Sequence, residues 1–90
     1  MKVIKIGARW CNGCLVMRPR WQEIEEEIPD LETEYYDYDD FPEKMHRFGI
    51  TEGVLPVFIF MNSHGVEITR VSGEVPKAKL VQLITENKAK

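Results

Sequence analysis

Cysteine is scarce in this chain: there are two, Cys11 and Cys14, three positions apart. Small secreted domains lean on several disulfides, and two cysteines supply at most one. The expected setting is therefore intracellular, in the cytoplasm, where a lone close pair is more often chemical than structural. Long apolar runs are also missing. No stretch approaches the roughly 20 residues that a membrane-spanning helix needs, so no membrane role is expected. "MKVIKIGARW" offers only Val3, Ile4 and Ile6 as large apolar residues before Arg9, so no signal peptide is visible. The start at Met1 fits a complete chain or a trimmed one. Positive charge is thin: 12 Lys+Arg stand against 15 Asp+Glu, a net charge of −3, which argues against a nucleic-acid partner. Between Glu23 and Glu43 there are 11 acidic residues and no basic one. Such a run reads as a solvated helix face followed by an acidic strand and loop, with a partner-docking patch as the alternative.

What is present describes one small globular domain over residues 1–90, 43% apolar and expected to act as a monomer. "KVIKIGA" (2–8) is β-branched and apolar apart from Lys5, and reads as a strand. Over 11–28, Met17, Trp21, Ile24 and Ile28 recur at helical spacing, with Pro19 predicting a kink near the second turn. "LETEYYDYD" (31–39) reads as a second strand. "FPEKMHRFG" (41–49) reads as a short helix stopped by Gly49. "VLPVFIFM" (54–61) and "VEITRVS" (66–72) flank a turn at "NSHG" (62–65), as two strands of a hairpin do. Residues 76–88 form the last helix, with Leu80, Leu83 and Ile84 on one face. The order βαβαββα makes an α/β fold: a mixed sheet of about four strands flanked by three helices.

On this map Cys11 falls at the start of the first helix. The first backbone N–H groups of a helix lack intrahelical partners and carry partial positive charge. Both effects stabilise a thiolate, and such positions lower a cysteine pKa from about 8.5 to roughly 3.5–7.5. Cys14, three residues on, shares the same helix face and is able to close an internal disulfide. Lying one turn down, it is expected to be the more buried thiol. The pair thus suits thiol–disulfide exchange, with Cys11 as nucleophile and Cys14 as resolving thiol. Half of a zinc site is the competing reading, but the chain has no further cysteine, and His46 and His64 lie at no typical ligand spacing. No metal and no cofactor is expected. A docking adaptor or soft-metal carrier that uses the two thiols remains the non-catalytic alternative.

The set "WCNGC" after a strand, Pro19 five residues past Cys14, "FGI…LPVFIF", the "NSHG" turn and Gly73 before the last helix resembles the thioredoxin superfamily. The likeness is to its short thioredoxin-like or glutaredoxin-like members and spans Val3 to Leu83. It implies the thioredoxin fold and a thiol–disulfide oxidoreductase acting on protein disulfides. A separate reductase or a small thiol would supply its electrons. It also implies that Trp10 flanks the site and shapes its docking surface, and that Pro56 is a cis-proline facing the pair. Leu55 then pairs with an extended substrate, and Gly73 lets the substrate backbone approach.

Four departures from the family pattern bear on tuning. Asn12-Gly13 stands between the cysteines where thioredoxins carry Gly-Pro, and Gly13 loosens the first helical turn by about 1 kcal/mol relative to alanine. Lys5 occupies the position, six residues before Cys11, of the family's buried aspartate, and Tyr35 falls near its paired lysine. As a cation, Lys5 would favour thiolates and make the pair more oxidising; alternatively it snorkels to solvent. "TEGV" lengthens the loop before Leu55. The cues for glutathione binding, "TVP" and "GG…D", are replaced by "VLP" and "SGEV", so a glutathione-linked glutaredoxin is the lesser alternative.

Overall fold

The computed structural model describes residues 1–88. Its elements follow the expected order: β1 (Lys2–Gly7), α1 (Asn12–Glu27), β2 (Glu32–Asp37), α2 (Pro42–Phe48), β3 (Val57–Met61), β4 (Glu67–Ser72) and α3 (Lys77–Asn87). The sheet order is β2-β1-β3-β4. The α1 crossover makes β1 and β2 parallel, while β3 runs antiparallel to both β1 and β4. One expected boundary moves. Residues 54–61 read as one strand in sequence, yet Glu52–Val54 form a 3-10 turn and β3 starts at Val57. Pro56 has no amide to donate to a ladder, so the strand begins after it.

Alternation along β1 sorts its side chains onto two faces. Ile4 and Ile6 join Met45, Ile50, Val57 and Ile59 in an aliphatic core on the α2 side. Val3 joins Met17, Trp21, Ile24, Phe58, Phe60, Val75, Leu80 and Ile84 under α1 and α3. The helical apolar stripe predicted for α1 is the one that is buried, with Ile28 partly so. α1 continues through Pro19 as one element, with Pro19 on its exposed side.

Turn chemistry fixes the remaining corners. Gly49 ends α2 in the left-handed conformation, φ 68°. In the β3–β4 turn, Asn62 Oδ1 accepts the amides of His64 at 2.9 Å and Val66 at 3.0 Å. Much of the acidic run is answered by cations. Lys77 bridges Glu23 and Glu27 across the α1–α3 seam, Lys2 meets Glu32 and Glu34, and Arg9 meets Asp40.

Candidate active site

The loop after β1 delivers Cys11 to the start of α1. The Cys11 amide donates to the Ala8 carbonyl at 3.2 Å, closing a turn that sets the helix entry angle. Cys11 is the N-cap in extended conformation, and its Sγ accepts the Cys14 amide at 3.2 Å. The sulfur therefore occupies the position that Ser or Asp oxygens take at ordinary helix starts. Cys11 and Cys14 are joined as a disulfide with Cα atoms 5.3 Å apart, within the usual range for such bridges.

The expected order of burial is reversed. Cys11 is 7% exposed and buried, whereas Cys14 is only partly buried. The reason lies on β1. Cys14 packs over Gly7, where a Cβ would stand 2.8 Å from Cys14 Sγ. With no side chain there, a cavity of about 360 Å³ opens beside Cys14, lined also by Lys5, Glu25, Tyr35 and Pro56.

On the front of the pair stands Pro56, buried and preceded by a cis peptide from Leu55. Its ring meets the CxxC turn: a Cβ on Gly13 would lie 3.2 Å from Pro56 Cδ and 3.6 Å from Glu74 Cγ. The glycine thus admits Pro56 close to the cysteines, a packing role that its helix propensity did not reveal. Gly73 has φ 84°, and its amide donates to the Pro56 carbonyl at 2.8 Å. Leu55 is partly buried and Asn12 is exposed. Trp10 is 49% exposed, yet fixed: its indole N–H donates to Asp39 Oδ2 at 2.8 Å, and its ring meets Tyr38 edge-on at 6.1 Å. Asp39 was not singled out from the sequence, where nothing local marks a contact from Trp10 to the turn that follows β2.

Behind the pair, Lys5 is ion-paired within the cavity beside Cys14. Its Nζ bonds Glu25 Oε2 at 2.9 Å, with side chains 18% and 36% exposed. Glu25 Oε1 accepts from Thr33 Oγ1 at 3.2 Å, and Lys5 Nζ also stands 5.8 Å from the Trp21 ring centroid. The Glu25 carboxylate thus accompanies the lysine charge beside the disulfide. Trp21 keeps its buried indole N–H without a partner among the described residues. Tyr35, half exposed, extends its hydroxyl to 3.2 Å from the place a Gly7 Cβ would take. Burial, then the nearby Asp37 carboxylate, raises the Tyr35 phenol above its ordinary pKa.

Comparison with known proteins agrees with this geometry. The family model described as Thioredoxin matches residues 1–86. The thioredoxin of Mycoplasma genitalium is 28% identical over 81 residues, covering 90% of this chain and 76% of the relative. That of Chlamydia caviae is 27% identical over 85 residues, covering 94% and 80%. Among solved structures, the X-ray structure of Fasciola hepatica thioredoxin superposes with a TM-score of 0.84 at 30% identity, over 94% of this chain and 78% of that one. Thioredoxin NaTrxh from Nicotiana alata gives 0.85 at 26% identity, over 94% and 70%. A close cysteine pair at a helix start, faced by a cis-proline within this sheet order, places the chain in the thioredoxin family, as a thiol–disulfide oxidoreductase.

Proposed function

We propose that the chain reduces protein disulfides, with Cys11 as attacking thiolate and Cys14 as resolving thiol. The capping of α1 by the Cys11 sulfur carries this reading, because an amide hydrogen bond and the positive helix end both favour a thiolate at that atom. Cys11 thiolate attacks one sulfur of the substrate, breaking its S–S bond and releasing the first substrate thiolate. Cys14 thiolate then attacks Cys11 Sγ, forming the internal disulfide and expelling the second. The substrate gains two electrons and takes two protons from solvent, and the Cys11–Cys14 pair is oxidised.

An extended substrate segment rests beside Trp10, Leu55, Pro56 and Gly73. Since the Gly73 amide already serves Pro56, it is not available to the substrate. A reductase or a small thiol returns the pair to the dithiol. The protein works as a monomer in the cytoplasm, where a reducing environment keeps the cycle turning. Asn12 and Gly13 tune the potential through the first turn of α1.

Insulin-disulfide reduction with dithiothreitol tests this reading. Cys11→Ser abolishes turnover, and Cys14→Ser accumulates mixed disulfides visible by mass spectrometry. Wild-type activity in both variants overturns it, as does metal retained on the thiols of protein purified without reductant. Replacing dithiothreitol by glutathione separates the two kinds of electron donor.

A further inference from the structure

We propose that the Tyr35 hydroxyl is the hydrogen-bond donor that stabilises the Cys14 thiolate, a catalytic contact made across the bare backbone of Gly7. The inference rests on the exchange cycle above and concerns the moments at which Cys14 carries negative charge.

The geometry comes from three elements. β1 ends at Gly7, α1 places Cys14 above it, and β2 sends Tyr35 along the sheet toward the same spot. A Cβ on Gly7 would stand 2.8 Å from Cys14 Sγ and 3.2 Å from the Tyr35 hydroxyl. Sulfur and hydroxyl therefore both border the space that a Gly7 side chain would fill, no more than about 6 Å apart, and both residues line the same cavity. Among the described residues no hydrogen bond joins them while the disulfide is closed. A thiolate in the same place is a charged acceptor, for which a hydrogen bond is about twice as strong as between neutral groups.

Other charged groups near Cys14 do not serve the purpose. Lys5 is bound to Glu25, and Glu25 is shared with Thr33. Arg18, an exposed residue, lines the same cavity and is the nearest cation left to Tyr35 and Cys14 without a carboxylate partner among the described residues, so its effect is long-range charge and not a placed hydrogen bond. Burial leads in raising the Tyr35 phenol, Asp37 and Asp40 add to it, and Arg18 and Arg9 oppose them; the net shift is upward from an ordinary value already well above neutral, so the phenol stays protonated. Tyr35 is thus a neutral donor wherever the enzyme works.

The step balances without proton transfer through the tyrosine. When an incoming thiolate bonds to Cys11 Sγ, the Cys11–Cys14 bond breaks and its electron pair leaves on Cys14 Sγ. That sulfur accepts the Tyr35 hydrogen bond and takes its proton later from solvent. In the reverse direction the same thiolate attacks Cys11 Sγ, and the tyrosine keeps its hydrogen throughout. A better-stabilised leaving thiolate departs faster, and at neutral pH more of Cys14 is poised to attack.

The test reads Cys14 alone. In a Cys11→Ser background, which preserves a capping side chain, the pH dependence of Cys14 alkylation by iodoacetamide gives its ionisation midpoint. Tyr35→Phe is expected to raise that midpoint by about one pH unit, equivalent to about tenfold less thiolate at neutral pH. With both cysteines present, resolution of a mixed disulfide slows by about threefold, because the more basic thiolate is intrinsically the better nucleophile. Placing 3-fluorotyrosine at position 35, a stronger donor of nearly the same shape, moves the midpoint down and covers the case in which Tyr35→Phe folds poorly. A midpoint unmoved by either change overturns the proposal. Alkylation needs neither substrate nor reductase, so this outcome is independent of whether insulin reduction succeeds.

Discussion

The two faces of β1 differ in what they bury. Toward α2, Ile4 and Ile6 sit in a wholly apolar cluster with Met45, Ile50, Val57 and Ile59, flanked by Tyr36, Tyr38 and Phe48, and are nearly inaccessible. Toward α1, the alternate positions run from buried Val3 to ion-paired Lys5 and then to Gly7, which has no side chain at all. One strand therefore grades from core to reaction site along one face while its other face stays dry. The difference shows where chemistry is accommodated in a domain of 90 residues. The α2 face supplies hydrophobic burial, and the α1 face gives some of it up to a cavity, an ion pair and an indole N–H with no partner among the described residues.

The most forceful way to break the comparison is Ile59→Ala on the dry face. Ile59 is 0% exposed, and truncating such a residue typically costs about 2–5 kcal/mol. Chemical denaturation should show a loss of that size, while the alkylation midpoint of Cys14 stays in place. Movement of the midpoint would mean that the two faces are not independent.

On the other face, Gly7→Ala puts a methyl into the gap occupied by Cys14 Sγ and approached by Tyr35. Overpacking of this kind costs about 1–3 kcal/mol. The cost should be larger in the oxidised protein, where the disulfide holds the sulfur in place, than in the dithiol. Thermal midpoints measured with and without reductant therefore diverge from those of the parent, and equal losses in both states would count against a sulfur-specific clash.

The smallest expected effect sharpens the reading of Lys5. Lys5→Met alone leaves Glu25 without its cation and should cost about 1 kcal/mol, as for partly exposed pairs. Combining it with Glu25→Leu should recover most of that loss, because a partly buried ion pair is readily replaced by apolar side chains. A double-mutant cycle measures the coupling, and a value near zero would mean that the 2.9 Å contact contributes nothing.

The sequence was most legible where a short-range rule governs. Helical spacing picked out Met17, Trp21 and Ile24, the glycine stop at Gly49 ended α2, and the asparagine turn at "NSHG" joined the hairpin strands. The resemblance supplied the cis peptide at Pro56, which no local pattern requires. It was least legible where one side chain's setting depends on another element. Lys5 finds Glu25 across 20 residues, and Trp10 finds Asp39 across 29. The reversed burial of the two thiols has the same origin. Helix position alone put Cys14 deeper, but the absent side chain of Gly7, on a different element, opens the space beside it.

The sulfur that caps α1 is also the atom that exchanges partners, so the start of this helix changes its anchor at every turnover. As a thiolate it offers the Cys14 amide a charged acceptor, and bonded to another sulfur it offers a weak neutral one. The chemical shift and solvent exchange of that single amide hydrogen therefore track the oxidation state of the pair. The protein carries its own spectroscopic gauge, readable by nuclear magnetic resonance without any added label.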